Sequence, residues 1–274
     1  MSQRMKLDPT MTPPRPRAVG RVNWRGFWTL YRKEVQRFLN VFMQTLAAPM
    51  VTALLFFAIF NLALGRAVQT AGGVPYPQFL APGLIMMTLV QNAFANSSSS
   101  ILIAKVQGNI VDVLMPPLSA AELTLGYALG AVTRGMMVGV AVLIGLLPFV
   151  DVSLHNPFAA LYFGFMAALM LGLLGMIGGI WAEKFDHIAA VQNFAITPLS
   201  FLSGTFYSID RLPEDWHIAA FVNPFFYMID GLRYGFIGHA DGDPVVGAVM
   251  VLIVNAVLLA WAYRMVAKGY KLKA

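Results

Sequence analysis

The sequence predicts an all-α integral membrane protein, and three observations carry that prediction. Of 274 residues, 58% are hydrophobic and only 12% charged, too little charge for a soluble domain. Six apolar runs have about the 20 residues that a helix needs to cross a bilayer. Basic residues gather at the chain's ends, with nine of the 19 Lys and Arg before residue 40. In a membrane protein such a bias reports orientation, not nucleic-acid binding. Cysteine is absent, which excludes disulfides and thiolate metal sites.

Residues 1–21 are polar and rich in Pro and Arg, with no apolar core of a cleavable signal, and read as a disordered cytoplasmic tail. Residues 22–40 follow as an amphipathic helix. Trp24, Phe27, Trp28, Tyr31, Val35, Phe38 and Leu39 recur at helical spacing, and Arg25, Arg32, Lys33, Gln36 and Arg37 take the other face. That pattern suits a helix lying in the membrane interface, or one packed on a protein surface. The membrane domain occupies 41–266, with spans expected at 41–64, 79–103, 120–147, 157–181, 188–207 and 245–263. A short tail, 267–274, carries more Lys.

Six spans put both basic ends on one side, which the positive-inside rule makes the cytoplasm. The stretch "NPFFYMIDGLRYGFIG", Asn223 to Gly238, does not fit that count as a further span. Its 15 or so helical residues cover roughly 22 Å, short of a core of about 30 Å. A crossing there would also put the C-terminal lysines outside. Pro213 with Glu214 and Asp215 reads as one helix start, and Asn223 with Pro224 as a second. Residues 213–238 are therefore expected to form a re-entrant helical hairpin that enters and returns on the external side.

No lysine precedes Ser or Thr as a phosphate-binding loop requires. His155, His187, His217 and His239 stand apart, and there is no G-x-S-x-G. Nothing here supports a catalytic site, a bound cofactor or a metal in this chain. An ion-gradient-driven secondary transporter is the alternative reading. It would need clustered membrane carboxylates, and the spans are nearly free of Asp and Glu.

Three stretches together resemble the permeases of ATP-binding-cassette (ABC) type-2 exporters. "GNIVDVLMPPLSAAELTLGYALGAVTRG" is similar to that family's coupling helix, turn and third span, with a second Pro at 117 as a small departure. "AEKFDHIAAVQNFAITPLSFLSGTFYSIDRLP" resembles its inner loop and fifth span. "NPFFYMIDGLRYG" resembles the second arm of its external hairpin. The resemblance implies a subunit of a bacterial inner-membrane exporter, embedded in the lipid bilayer. It also implies a separate cytoplasmic ATPase that uses ATP and Mg2+, and a homodimer around a central pathway. Apolar walls with few charges point to a hydrophobic or amphipathic cargo, with an aromatic-lined glycan pathway as the other reading.

The resemblance makes Gly108, Asn109, Ile110, Val111, Asp112, Val113 and Leu114 the ATPase-coupling segment; the bland reading is a solvated turn. Arg134 falls near mid-membrane, where a charge costs about 2.5–3.5 kcal/mol, and is either a pathway residue or an anchor. Asn92, Asn96 and Ser99 share a helical face and either line a pathway or pack between helices. Paired glycines at 126, 130, 135 and 139, and at 175 and 179, read as packing. In the hairpin, Asp230 and Arg233 lie three apart on one face and are expected to pair. Tyr227, Tyr234 and the neighbouring Phe225, Phe226 and Phe236 are expected to close the outer mouth.

Overall fold

The computed structural model describes residues 20–65, 68–71, 73–209 and 220–272. The expected tail 1–21 lies almost wholly outside the described residues, as does the expected first arm of the hairpin at 213–219.

The architecture is a bundle of long helices: α1 (Trp24–Leu39), α2 (Phe42–Leu64), α3 (Tyr76–Val106), α4 (Ile110–Leu114), α5 (Ala120–Leu146), α6 (Pro157–Trp181), α7 (Phe185–Val191), α8 (Thr197–Leu202), α9 (Pro224–Ile237) and α10 (Pro244–Ala267). Between α2 and α3 a small antiparallel hairpin, β1 (Thr70–Ala71) with β2 (Val74–Pro75), pairs Ala71 with Val74. Among the described residues five helices, α2, α3, α5, α6 and α10, are long and apolar enough to cross a membrane. All lie within a few residues of the runs read from sequence.

The expected unbroken span at 188–207 takes a different form. Its helical part is Phe185 to Leu202, with a π-helical turn, Gln192–Ile196, between α7 and α8. Pro198 has no N–H to return to the turn behind it, and the Thr197 N–H instead bonds the Gln192 carbonyl five residues back. Residues 203–207 leave the helix, with Gly204 at a φ of 76°.

The bundle is built on α3, which lies between α5 and α6 and is also touched by α2 and α9. Small residues make that crowding possible. A Cβ at Gly175 of α6 would run into the Phe94 carbonyl oxygen, and one at Gly179 would come within 2.9 Å of the Ser98 carbonyl. Ser97 donates to the Gly172 carbonyl at 2.6 Å, tying the same helices together. The glycines of α5 divide their work: Gly135 and Gly139 face Ala93 and Leu89 of α3, whereas Gly126 and Gly130 face Leu30 and Glu34 of α1.

This last contact revises the expected faces of α1. The side turned into the protein carries Leu30, Glu34 and Phe38, and Arg37 reaches inward with them, while Trp24 and Trp28 point outward. The groove left by Gly126 and Gly130 accepts Leu30 and Glu34, so packing against α5 sets the rotation of α1. The helix runs alongside α5, with Tyr31 Oη 2.9 Å from Thr133 Oγ1.

The connections segregate to two ends. At one, the Asn23 backbone N–H donates to the Glu122 carboxylate and the Asn23 side chain to the Pro117 carbonyl. Lys105 donates to the carbonyls of Ile180 and Ala182, and Lys271 pairs with Glu183 at 2.7 Å. At the other end, the N–H groups of His155 and Asn156 bond the carbonyls of Phe236 and Gly235, and Asp241 accepts from Ser208 Oγ and the Ile209 N–H. Ser208 and Ile209 thus lie at the same end of the bundle as Asp241.

Gly175→Ala is expected to lower stability by about 1–3 kcal/mol, because the new methyl meets backbone that cannot turn aside. Gly164→Ala, whose Cβ would sit 3.4 Å from the flexible Met136 sulfur, should be near neutral. Thermal unfolding of the two variants in detergent checks the difference.

Candidate functional site

Three groups of residues hold the chain's unusual chemistry. The first is the short connection between α3 and α5. Gly108, at a φ of 76°, ends α3 in the left-handed conformation that favours glycine. The next residues, from Asn109, turn into α4, where Ile110 and Val113 are buried and Val111 and Asp112 face outward with Met115 beyond. The buried pair, with Leu114, rests on Ile101, Leu123, Tyr127 and Met176. Pro116 and Pro117 end the segment, and a capping box, Ser119 with Glu122, starts α5. Glu122 is buried and engaged by that box and by Asn23.

The second group lies deep in the bundle, where α1, α3 and α5 meet. Arg37 Nη2 donates to the Asn96 carbonyl at 2.6 Å and to Asn96 Oδ1 at 3.0 Å, and Nη1 to Ser99 Oγ at 3.2 Å. Arg37 also faces Glu34 at 3.6 Å, and Ser100 Oγ donates to Glu34 Oε1 at 2.7 Å. Glu34 is fully buried, and burial pushes its carboxyl above the usual glutamate range against the pull of Arg37 and the Ser100 hydrogen bond. Sequence reading missed Glu34. The available signal was one acid three residues before an arginine on a helix otherwise basic and aromatic.

Asn92 belongs to a different neighbourhood from Asn96 and Ser99. Its amide nitrogen donates to the Thr88 carbonyl at 3.0 Å, and its oxygen accepts from Arg134 Nη2 at 3.2 Å. Arg134 and Asn92 border a cavity of about 460 Å³ beside α2. Asn92, Asn96 and Ser99, read from sequence as sharing one helical face, are therefore split: Asn96 and Ser99 meet Arg37, and Asn92 joins Arg134 at a cavity wall.

The third group is α9. Asn223 caps it, accepting from the Phe225 N–H at 3.1 Å and donating to Ser203 Oγ at 2.7 Å; Pro224 is its first residue and Gly238, at a φ of 72°, ends it. Asp230 and Arg233 approach to 3.7 Å. Arg233 is fully buried, donates to the Gly204 carbonyl, and lies over the Phe79 ring with its guanidinium carbon 3.7 Å from the centroid. Asp230 accepts from the N–H groups of Asp241 at 2.8 Å and Gly242 at 2.9 Å. Burial raises its pKa, and Arg233 and the two N–H groups oppose that rise.

The aromatic residues of α9 lie mostly inside this chain. Phe225, Phe226, Tyr227 and Phe236 are buried within this chain, and Tyr234 packs edge-on against His155. Gly231 and Gly235 let α9 approach α6 at Phe163 and Ala160, while Gly242 meets Phe226 and Gly247 of α10 meets Tyr227. The spacing Gly-x-x-x-Gly was the available sequence signal.

The chain matches the family described as ABC-2 type transporter over residues 25–237. It is similar to the inner membrane transport permease YadH of Escherichia coli K12, 39% identical over 242 residues that cover 87% of this chain and 94% of that protein. It is also similar to nodulation protein J of Rhizobium leguminosarum bv. trifolii, 27% identical over 252 residues, 89% of this chain and 93% of that one.

Two outcomes follow from the buried charges. Glu34 holds its proton to higher pH in the folded than in the unfolded chain. Its contribution to stability is therefore full below the unfolded value, about 4.3, and is lost as pH rises through the folded value. Unfolding midpoints followed upward from about that pH should show this fall in the wild type and not in Glu34→Gln. Arg233→Ala leaves Asp230 without its cation and is expected to cost about 3–5 kcal/mol, and Asp230→Asn in the same chain should restore part of it.

Proposed function

The chain belongs to the ABC-2 type transporter family, and on that premise we propose that it is the permease subunit of an ATP-driven exporter. A separate cytoplasmic ATPase would bind ATP and Mg2+ and do the hydrolysis. Two copies of the permease would enclose the pathway in a bacterial inner membrane, the location that the name of the Escherichia coli relative states for that protein.

The observation that carries this reading is the build of the α3–α5 connection. Its inner face is anchored on the bundle, and its outer face presents Val111, Asp112 and Met115, with Met115 78% exposed. A short helix held rigidly from beneath, with apolar contacts and one acid on top, suits docking in a groove of a partner. It stands at the end of the bundle that carries Lys105, Lys184, Lys268 and Lys271, the basic end that positive-inside bias assigns to the cytoplasm. Asp151, Asp230, Asp241 and Asp243 belong to the opposite end.

In this proposal Phe185–Leu202 is the sixth crossing. At about 1.5 Å per residue its 18 residues cover roughly 27 Å, close to a bilayer core. The α9 segment dips in from outside and returns, because the chain on either side of it meets at the same end. Its buried Asp230 and Arg233 brace the outer end of each subunit.

Asp112→Arg should leave membrane insertion intact and reduce co-purification of the ATPase by about tenfold, the equivalent of one lost charge-assisted contact. Undiminished recovery would remove the docking assignment. The purified chain alone should neither bind nor hydrolyse ATP. Topology is checked in the cysteine-free chain by single cysteines at Leu154, Val245 and Met115, all exposed. A membrane-impermeant thiol reagent should reach 154 and 245 in intact cells and 115 only after permeabilisation. Labelling of 154 and 245 from opposite sides would exclude the six-span arrangement.

A further inference from the structure

The cavity of about 460 Å³ beside α2 is lined by polar groups at a depth where lipid would otherwise dominate. Gln44 and Thr52 of α2, Thr88, Gln91 and Asn92 of α3, and Arg134 of α5 contribute to its wall. No carboxylate does. Arg134 is the fifteenth of the 27 residues of α5, and its only side-chain hydrogen bond among the described residues goes to Asn92 Oδ1. Its Nε has no partner among them.

Among the described residues, charge at this depth does not balance. Arg37, the ionised group that acts on Arg134, is also a cation and is already matched by Glu34. Of the 13 Asp and Glu in the sequence, the five candidate crossing helices contain only Glu122, which is held in its capping box near the start of α5. Among the described residues no ion pair joins Arg134 to an acid, which leaves its charge available to an anionic ligand.

The remaining walls describe that ligand. Val41, Ala48 and Met87 interleave with the polar groups, and the apolar face of α2 next to the cavity is turned outward, with Val51 and Leu55 exposed. We propose that the cavity binds the anionic head group, phosphate or carboxylate, of an amphiphile that enters sideways from the bilayer past α2. Arg134 supplies the charge, and Asn92 and Gln91 supply neutral hydrogen-bonding partners. That this amphiphile is the cargo rests on the export reading above; the binding does not.

The test uses the whole purified chain in nonionic detergent, stripped of lipid and titrated with phosphatidylglycerol, phosphatidylcholine and inorganic phosphate, with native mass spectrometry and thermal unfolding as readouts. Phosphatidylglycerol should bind about tenfold more tightly than phosphatidylcholine, the worth of one charge-assisted contact. Arg134→Gln should bring the two lipids close to parity, and Arg134→Lys should keep most of the preference. If inorganic phosphate alone stabilises the wild type and not Arg134→Gln, the site holds and its ligand is a free anion. Equal binding of the two lipids by the wild type, or a preference that survives Arg134→Gln, overturns the proposal. A second measurement needs no arginine variant. A cysteine at Gln91 should react faster with an anionic than with a cationic methanethiosulfonate of similar size, and the reverse order also overturns it. Neither readout involves the ATPase or net transport, so failure of this site and failure of the export reading are separable.

Discussion

A polar group in the hydrocarbon core must find its partner inside the protein, and α3 is where this chain meets that constraint. Tyr76 to Val106 is the most buried of the long helices, and it is also the one that carries a run of Asn and Ser. Ser98 and Ser99 return their protons to carbonyls of their own helix, Ser97 bonds Gly172 of α6, and Ser100 bonds Glu34 of α1. Each of these groups would be costly against lipid. Satisfied here, they draw α1, α5 and α6 around one axis, and glycines on α5 and α6 let the backbones come close enough for those bonds to form.

The buried charges follow the same logic with higher stakes. Glu34 with Arg37 and Asp230 with Arg233 are each spaced three residues apart on a helix, and each pair is completed by partners far along the chain. Asn96 and Ser99 complete the first pair; Gly204 and the N–H groups of Asp241 and Gly242 complete the second. The first ties α1 into the membrane domain below its middle. The second joins α9 to the loops on either side of it. One pair thus sits toward the end proposed to dock the ATPase and one at the opposite end. Arg134 lacks such a partner among the described residues, and this sets its cavity apart from both.

Mechanical consequences follow for a transport subunit. The connection that follows α4, the start of α5 and the start of α1 are fastened together by Asn23, Pro117, Ser119 and Glu122. The π-helical turn before Pro198 supplies the opposite property, a place where a helix ladder is already loosened.

Sequence alone determined the all-α class, the position of five long helices, the caps at Asn223 and Gly238, and the resemblance that led to the family. These are legible because lipid imposes length and hydropathy on each segment separately, and caps are local chemistry. Tertiary structure decided the rest. The inward turn of Glu34 and Arg37 was hidden because α1 reads as amphipathic about a different axis, and only the groove at Gly126 and Gly130 selects the buried face. Asn92 parts from Asn96 because a helix face says which side chains share a direction, while neighbouring helices say what they meet. The aromatic residues of α9 looked like a lid because their periodicity records burial without naming the surface that buries them. That surface is built by α6, α3 and α10 together, with Gly231 and Gly235 setting the approach to α6 and Gly247 of α10 meeting Tyr227.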